Sequence, residues 1–232
     1  MKRSGHWALA LIVTGFLALP AVGMSRCDGV AAGCAAPLAA PAAETRAALS
    51  EAGRQLDPAG RAHLERDQAA FDTLTAHGKT SGDFDAELLQ SMRRDFLKSV
   101  RPPARTGQMH WANAAGSVSI QDASGAIQVR VSTAEPTVGR WMCEFDDSAL
   151  RQAGVLIVGA ASAALELGGP NEGWTLVLRR QGDVLVIDEL APKGGGRRPF
   201  CSGGGSLAGV YFAVGSQAMS EAGAALNGSG AR

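Results

Sequence analysis

The chain has 232 residues with 22 basic and 22 acidic side chains, so its formal net charge is zero. Apolar residues make up 46% of the chain, which is enough to build a buried core. The charges of both signs are spread along the chain without segregation, which argues against nucleic acid or an anionic lipid surface as a partner.

A secretory signal peptide is predicted at residues 1–23, which have a basic start, an apolar run and small residues before the expected cleavage point. These parts are Lys2 and Arg3, the run from Trp7 to Leu19, and Ala21 with Gly23. The run is shorter than the roughly 20 apolar residues of a membrane-spanning helix. We therefore expect an exported protein, periplasmic or secreted, without a membrane span and with a slight excess of acidic side chains after cleavage.

Residues 24–43 are predicted to form a linker, because Ala and Pro dominate and few side chains are bulky enough to bury. The stretch from Val30 to Cys34 loosely resembles the motif that directs lipidation. It lies well beyond the end of the apolar run of the signal peptide, so we expect no lipid anchor.

Charged and apolar residues are interleaved at helical spacing over residues 44–101, which predicts a helical domain of three short helices. The first helix covers residues 44–55. Asp57-Pro58 favours the start of the second, because Asp accepts hydrogen bonds from the free amides of a first turn and Pro has no amide to leave unpaired there. The remaining limits are Gly78 as the end of the second helix, Ser81 or Asp83 as the cap of the third, and Pro102-Pro103 after it.

One apolar stripe on each helix predicts that the three pack as a small antiparallel bundle. The stripes consist of Leu64, Gln68, Phe71 and Leu74 on the second helix, and of Phe84, Leu88, Met92 and Phe96 on the third. Gln68 interrupts its stripe, and a buried amide needs hydrogen-bond partners. We expect Gln68 to tie the second helix to the third through a backbone carbonyl.

Residues 108–214 are predicted to form a β domain, because the apolar period changes to two. The strand-like segments are 118–120, 127–131, 141–145, 155–158, 174–178, 184–187 and 207–214. No helical crossovers separate them, which favours seven or eight short antiparallel strands in a small barrel or sandwich. The predicted fold class is therefore α+β, and the residues 215–232 are expected to be a flexible tail.

The four cysteines are predicted to form disulfides, as is usual for exported chains. Three pairings are possible in principle. Cys27 and Cys34 lie together near the start of the mature chain, whereas Cys143 and Cys201 lie among the strand-like segments. We expect one bridge between Cys143 and Cys201, and a second between Cys27 and Cys34.

No set of residues predicts a catalytic centre, a metal site or a cofactor site. Glu144 and Asp146 would share one face of a strand, as a pair of glycosidase carboxylates does. The same alternation also predicts the solvent-facing side of a sheet opposite Cys143 and Phe145, and we favour that interpretation. The histidines after the signal peptide lie in separate segments without the spacing of metal ligands: His63, His77 and His110.

The one concentrated basic feature is the stretch Lys193-Gly194-Gly195-Gly196-Arg197-Arg198, between two predicted strands. One interpretation is a solvated connection that glycine keeps flexible. The other is a loop that adapts to a concave, acidic partner. In the second case Lys193, Arg197 and Arg198 are the candidate partner-binding residues.

Residues 56–97 resemble the N-terminal helical domain of the LprI-type lysozyme-inhibitor family of bacterial envelope proteins. The resemblance consists of Leu56-Asp57-Pro58, of Asp67-Gln68 shortly before Phe71, and of Arg93-Arg94 before Leu97. Phe71 stands where the family usually has Trp. The later stretches 141–144 and 200–211 resemble the β-rich extension that follows this domain in some members. The resemblance implies inhibition of a lysozyme, but no inhibitory residue can be matched to this chain.

These observations predict an exported periplasmic binding protein that inhibits a lysozyme-like muramidase by occlusion and not by chemistry. The expected partner is an envelope protein, and no cofactor is expected. Two alternatives are open: a cell-wall-acting hydrolase that uses Glu144 or Asp146, and a non-catalytic envelope assembly factor.

Overall fold

The computed structural model of the chain describes residues 39–81, 85–104, 108–123, 125–137, 139–159 and 173–215. The predicted signal peptide, most of the predicted linker, and nearly all of the predicted tail lie outside these ranges. So do Cys27 and Cys34, whose pairing stays a prediction. None of the helices in the described ranges is both long enough and apolar enough to cross a membrane.

In the described part of the chain, three helices precede the sheet: α1 (Ala39–Arg54), α2 (Pro58–Ser81) and α3 (Ala86–Ser99). The start of α2 at Pro58 is confirmed, and the Gly60 amide donates to Asp57 Oδ1 at 2.6 Å. The predicted end at Gly78 is wrong, because α2 continues to Ser81 and a glycine inside a helix costs only about 1 kcal/mol. Similarly, α1 begins at Ala39, before the predicted start at 44, because alanine is the strongest helix former.

The cap of α3 differs from the prediction. Asp85 caps this helix, in place of the predicted Ser81 or Asp83, and its carboxylate accepts hydrogen bonds from the amides of Glu87 (3.1 Å) and Leu88 (2.9 Å). Asp85 satisfies two of the free amides of the first turn, which is the reason that Asp is favoured at a helix start.

The predicted apolar stripe of α3 is wrong at Leu88 and Met92, whereas Phe96 is half-buried and packs against the core, and Phe84 lies outside the described residues. Leu88 and Met92 are 54% and 41% exposed, whereas Leu89, Arg93 and Leu97 form the buried face. The apolar pattern predicted the wrong face because Arg93, a charged residue, lies at the centre of the buried face. By contrast, the α2 stripe is confirmed at Leu64, Gln68 and Phe71, which are buried, with Leu74 half-buried.

Eight antiparallel strands form a closed barrel in which each strand pairs with the next in the chain and the last pairs with the first. The strands are β1 (Met109–Ala112), β2 (Gly116–Ala123), β3 (Ala126–Ala134), β4 (Met142–Gln152), β5 (Val155–Val158), β6 (Thr175–Gln181), β7 (Val184–Leu190) and β8 (Gly209–Val214). This confirms an α+β fold, and a barrel instead of a sandwich. The sequence did not predict β1, which closes the barrel by pairing Trp111 with Ala213.

The interior of the barrel is apolar, because alternate side chains of every strand point into it. The largest of the fully buried interior side chains are Trp111, Phe145, Leu176, Leu178, Ile187 and Tyr211. Eight strands leave an interior that side chains can fill, or that can hold one small ligand.

A second core lies between the helices and the outer face of β7 and β8. Val184 and Phe212 belong to the outward-facing positions of these strands, yet both are 0% exposed and cluster with Leu64 and Leu97 from the helices. The strand pair is therefore apolar on both faces, as expected for strands that are covered on both sides. The helices thus fix the position of one side of the barrel wall.

The predicted disulfide between Cys143 and Cys201 is confirmed. Cys143 lies near the start of β4, and Cys201 lies in the segment that connects β7 to β8, where the two residues also form an isolated bridge of the sheet. The bridge therefore attaches the 191–208 connection to the barrel wall.

Candidate functional site

The two ends of the barrel differ in their connections. The hairpin end carries the tight turns between β4 and β5 and between β6 and β7. The other end carries the long connection 191–208, and we call its residues 193–198 the basic loop. A shallow cavity of about 360 Å³ lies beside the basic loop, lined by Trp174, Arg197, Arg198, Cys201 and Gly205 among others.

Arg198 is held at the base of the basic loop by internal contacts. Its guanidinium lies over the ring of Trp174, 5.7 Å from the ring centroid, and its Nη1 donates to the Gly205 carbonyl at 3.3 Å. Its Nε lies 2.7 Å from Glu189 Oε2, an ion pair in which the N–H is not aligned with the oxygen. Arg198 is therefore placed to anchor the loop, while two other cations of the loop face solvent.

Glu189 receives the contacts that fix this end of the barrel. Its side chain is only 4% exposed, and its Oε1 accepts from the Leu207 amide at 2.6 Å and from Ser206 Oγ at 3.2 Å. A buried carboxylate needs such partners and a cation, and Arg198 supplies the cation. The connection before β8 is thereby attached to the end of β7.

Tyr211 lies below this network inside the barrel. Burial, together with the nearby Glu189 carboxylate, raises the pKa of Tyr211 above its usual range. The hydroxyl therefore stays protonated and donates to the Leu207 carbonyl at 2.7 Å. This hydrogen bond adds a third attachment for the segment that follows the basic loop.

The tip of the basic loop consists of small residues between exposed cations. Lys193 and Arg197 are exposed, and neither has an ion-pair partner within the described ranges. Gly194 and Gly195 have φ angles of 95° and 70°, and a Cβ at either position would meet no atom within 4 Å. The tip therefore projects into open space from a fixed base.

Glu144 and Asp146 lie on the outer face of β4, because Cys143 and Phe145 take the inward positions. Gln128 Nε2 donates to Asp146 Oδ1 at 2.8 Å and Arg130 Nε donates to Asp146 Oδ2 at 2.8 Å. The hydrogen bond from Gln128 and the contacts with Arg130 lower the pKa of Asp146. Neither carboxylate lines the cavity beside the basic loop. An ionised carboxylate held on an open surface is poorly suited to act as a general acid.

Gln68 ties α2 to α3, as predicted, but through a side chain and not a backbone carbonyl. Arg93 Nε donates to Gln68 Oε1 at 2.9 Å, and Gln68 Nε2 donates to Asp72 Oδ1 at 2.8 Å. Arg93 also contacts Asp67, with 2.6 Å between Nη1 and Oδ2. The motif Asp67-Gln68 thus serves the packing of the helices.

In the described part of the chain, no group of three or more His, Cys, Asp or Glu side chains is arranged so that it could hold a metal ion. Trp174 and Glu189 were not identified from the sequence as parts of the site. Their roles depend on contacts with the 191–208 connection, and the only sequence signal was an acidic residue and a Trp at the ends of two strands.

We compared the chain with protein-family models, with curated proteins and with solved structures, and found no significant match to any of them. Its membership of the LprI-type family therefore stays a prediction from residues 56–97.

Proposed function

We propose that this chain is an exported binding protein of the bacterial cell envelope that inhibits a lysozyme-like muramidase by occlusion. In this proposal the basic loop enters the active-site cleft of the enzyme and excludes its substrate. The observation that carries the proposal is the pair of exposed cations, Lys193 and Arg197, on a loop whose base is fixed.

The charge of the loop matches the chemistry of the proposed target. Glycosidase clefts contain a pair of carboxyl groups that flank the scissile bond, so a cation can form charge-assisted hydrogen bonds there. Opposite charge also steers the encounter of two proteins and raises the association rate.

The base of the loop favours binding as well. The Cys143–Cys201 bridge and the Arg198 contacts with Trp174 and Glu189 restrict the segment before any partner arrives. Restricting a loop in advance lowers the entropy that is lost on binding. The glycines at the tip leave enough freedom to follow the contour of a cleft.

The resemblance of residues 56–97 to the LprI-type family supports a lysozyme-like muramidase as the partner.

The proposal includes a periplasmic or secreted location and the packing of α1, α2 and α3 as the small antiparallel bundle of that family. The hydrolase alternative is less well supported, because Asp146 is held by Gln128 and Arg130 on an open surface.

The direct test is the residual activity of several muramidase types in the presence of an excess of the purified mature protein. We expect inhibition of at least one type. Lys193→Ala/Arg197→Ala should raise the concentration for half-inhibition by about tenfold or more, which corresponds to about 1.4 kcal/mol. The matched control is Arg46→Ala/Lys98→Ala, which removes the same charge from exposed positions on the helices and should inhibit like the wild type.

Two results would overturn the proposal. One is full muramidase activity at every tested excess of the wild-type protein. The other is equal inhibition by the wild type and by the double loop variant, which would remove the basic loop from the inhibitory surface.

A further inference from the structure

The hairpin end of the barrel contains a second cavity, with a volume of about 390 Å³. Its mouth lies at this end of the barrel, and its apolar lining residues are inward-facing: Met109, Trp111, Ile120, Leu156, Leu178 and Leu185. Its size falls within the range of about 300–1,000 Å³ that is typical of small-molecule sites.

The rim of this cavity is charged. Asp122, Arg151 and Arg180 follow the inward-facing positions of β2, β4 and β6, two residues after Ile120, Ala149 and Leu178, and all three line the cavity. Since alternate side chains of a strand point inward, the inward-facing positions of these strands are apolar inside the barrel and charged at the mouth of the cavity. A wall of this kind fits a ligand with an apolar body and a polar head.

The rim has an excess of positive charge. Arg151 Nη2 lies 3.3 Å from Asp122 Oδ2, so these two charges are matched. Arg180 donates from Nε to the Gly182 carbonyl at 3.0 Å and has no carboxylate partner in the described part of the chain. Its guanidinium therefore keeps donors for an anionic group at the mouth.

We propose that this cavity binds a small amphipathic anion, with its apolar body against the apolar wall of the cavity and its anionic head at Arg180. The site is independent of the basic loop. Trp174 precedes β6 at the end with the basic loop, whereas Arg180 lies near the last residue of the same strand, at the other end of the barrel.

The probe is decanoate, titrated below its micelle concentration and followed by tryptophan fluorescence and calorimetry. We expect saturable binding to the full chain. Decanol, which has the same apolar body without the charge, should bind at least about tenfold more weakly, since tenfold is the effect of one modest charge-assisted contact. Decyltrimethylammonium should bind more weakly than decanol.

Two variants separate the parts of the site. Arg180→Ala should weaken decanoate binding by about tenfold and leave decanol binding unchanged. Leu178→Trp should fill the cavity and abolish the binding of both ligands, and Ile120→Phe serves the same purpose if Leu178→Trp does not fold. The matched control is Arg46→Ala, which removes an exposed arginine from α1 and should bind decanoate like the wild type.

The proposal fails if decanoate does not bind the wild type, or if it binds equally to the wild type and to the filled variant. Equal loss of decanoate and decanol in Arg180→Ala would contradict the placement of the head group. Decanoate binding should persist in Lys193→Ala/Arg197→Ala, so failure of muramidase inhibition and failure of ligand binding are distinguishable.

Discussion

Asp57 and Asp183 exchange hydrogen bonds, because each backbone amide donates to the carboxylate of the other residue. The distance is 2.7 Å from the Asp57 amide to Asp183 Oδ2 and 3.2 Å from the Asp183 amide to Asp57 Oδ2. The pair joins the start of α2 to the turn between β6 and β7. Gly182 in that turn has a φ of 58°, and a Cβ there would overlap the Asp57 carboxylate, so only glycine fits beside the pair.

Replacing Asp57 should therefore cost more than replacing an ordinary helix cap. Asp57→Ala removes the hydrogen bonds that the Asp57 carboxylate accepts from the Gly60 and Asp183 amides, and keeps the bond that its own backbone amide donates to Asp183. We expect a loss of about 2 kcal/mol in the free energy of unfolding. The control is Asp85→Ala, which removes only the cap of α3 and should cost about 1 kcal/mol. Urea titration measures both, and equal losses would show that the contact with the turn contributes nothing.

The shared core predicts that the helices and the barrel unfold together. Val184 and Phe212 of the barrel are buried against Leu64 and Leu97 of the helices. Far-ultraviolet circular dichroism follows the helices, and the fluorescence of Trp111, Trp141 and Trp174 follows the barrel. We expect coincident urea transitions by the two probes. Separate midpoints would mean that the helical part is stable on its own.

Arg93 should be the most sensitive charged residue of the helices. Its side chain is 1% exposed, contacts Asp67 and Gln68, and stacks on Phe71 and Phe96 with 5.2 and 4.9 Å to the ring centroids. Arg93→Ala removes the cation beside the partly buried Asp67 carboxylate and the donor to the buried Gln68 Oε1, so we expect a loss of about 3 kcal/mol.

The neighbouring residue Arg94 provides the control for Arg93. Arg94 pairs with Glu44, whose side chain is 64% exposed, at 3.0 Å. Exposed ion pairs contribute little, so Arg94→Ala should cost less than about 1 kcal/mol. Losses of the same size at the two positions, measured by thermal unfolding, would contradict the buried role of Arg93.

The bridge between Cys143 and Cys201 closes a segment of 58 residues. Its removal in Cys143→Ala/Cys201→Ala gives the unfolded chain more freedom, and the expected loss is about 4 kcal/mol on the chain-entropy account. A reducing agent added to the wild type should lower the melting temperature to that of the variant. Unchanged melting temperatures in both cases would show that the bridge does not stabilise the barrel.

Asp146 should add a small acid-dependent contribution to stability. The hydrogen bond from Gln128 and the contacts with Arg130 lower its pKa from the ordinary value of 3.8. A lowered carboxyl pKa stabilises the fold above pH 3.8, and this contribution is lost as the pH falls through the lowered value. The pair is solvent-exposed, so we expect roughly 0.2–1 kcal/mol.

The measurement is the difference in unfolding free energy between wild type and Asp146→Asn at pH 6 and at pH 2.5. The difference should shrink at the lower pH, and Arg130→Ala should behave in the same way. Since the two residues share one interaction, the double variant should lose less than the sum of the single losses. A difference in unfolding free energy that does not depend on pH would show that ionisation of Asp146 does not stabilise the fold.

Local patterns predicted most of the secondary structure. The start of α2, the hairpin of β2 and β3, and the alternation of Cys143 and Phe145 followed from cap residues and period-two spacing, which are properties of neighbouring residues. The buried face of α3 did not follow from local patterns, because Arg93 is buried only through its contacts with Asp67 and Gln68 on another helix. β1 is four residues long and is held by β2 and β8, so its own sequence carries almost no strand signal.

The candidate sites were predictable to different degrees. A run of cations among glycines is visible in the sequence, so Lys193 and Arg197 were identified as candidates. The anchoring role of Arg198 depends on Trp174 and Glu189, which only the closed barrel brings to it. The cavity at the hairpin end could not be predicted, since Ile120 and Leu178 lie on different strands that only the closed barrel brings together.

The packing of the helices on the barrel was predictable from β7 and β8. Two strands with apolar residues on both faces must be covered on both sides, and the outward-facing apolar residues of these strands are Val184, Val186, Val210 and Phe212.

The pairing of β1 with β8 also sets an order of events during synthesis. A chain made from its N-terminus presents α1, α2 and α3 first, but Phe212, which covers Leu64 and Leu97, arrives only with the last strand. Ring closure joins the first strand of the barrel to the last, a non-local contact of the kind that slows folding. Until that moment the apolar face of the helices has no cover, so the newly made chain passes through a stage in which a chaperone has a surface to bind.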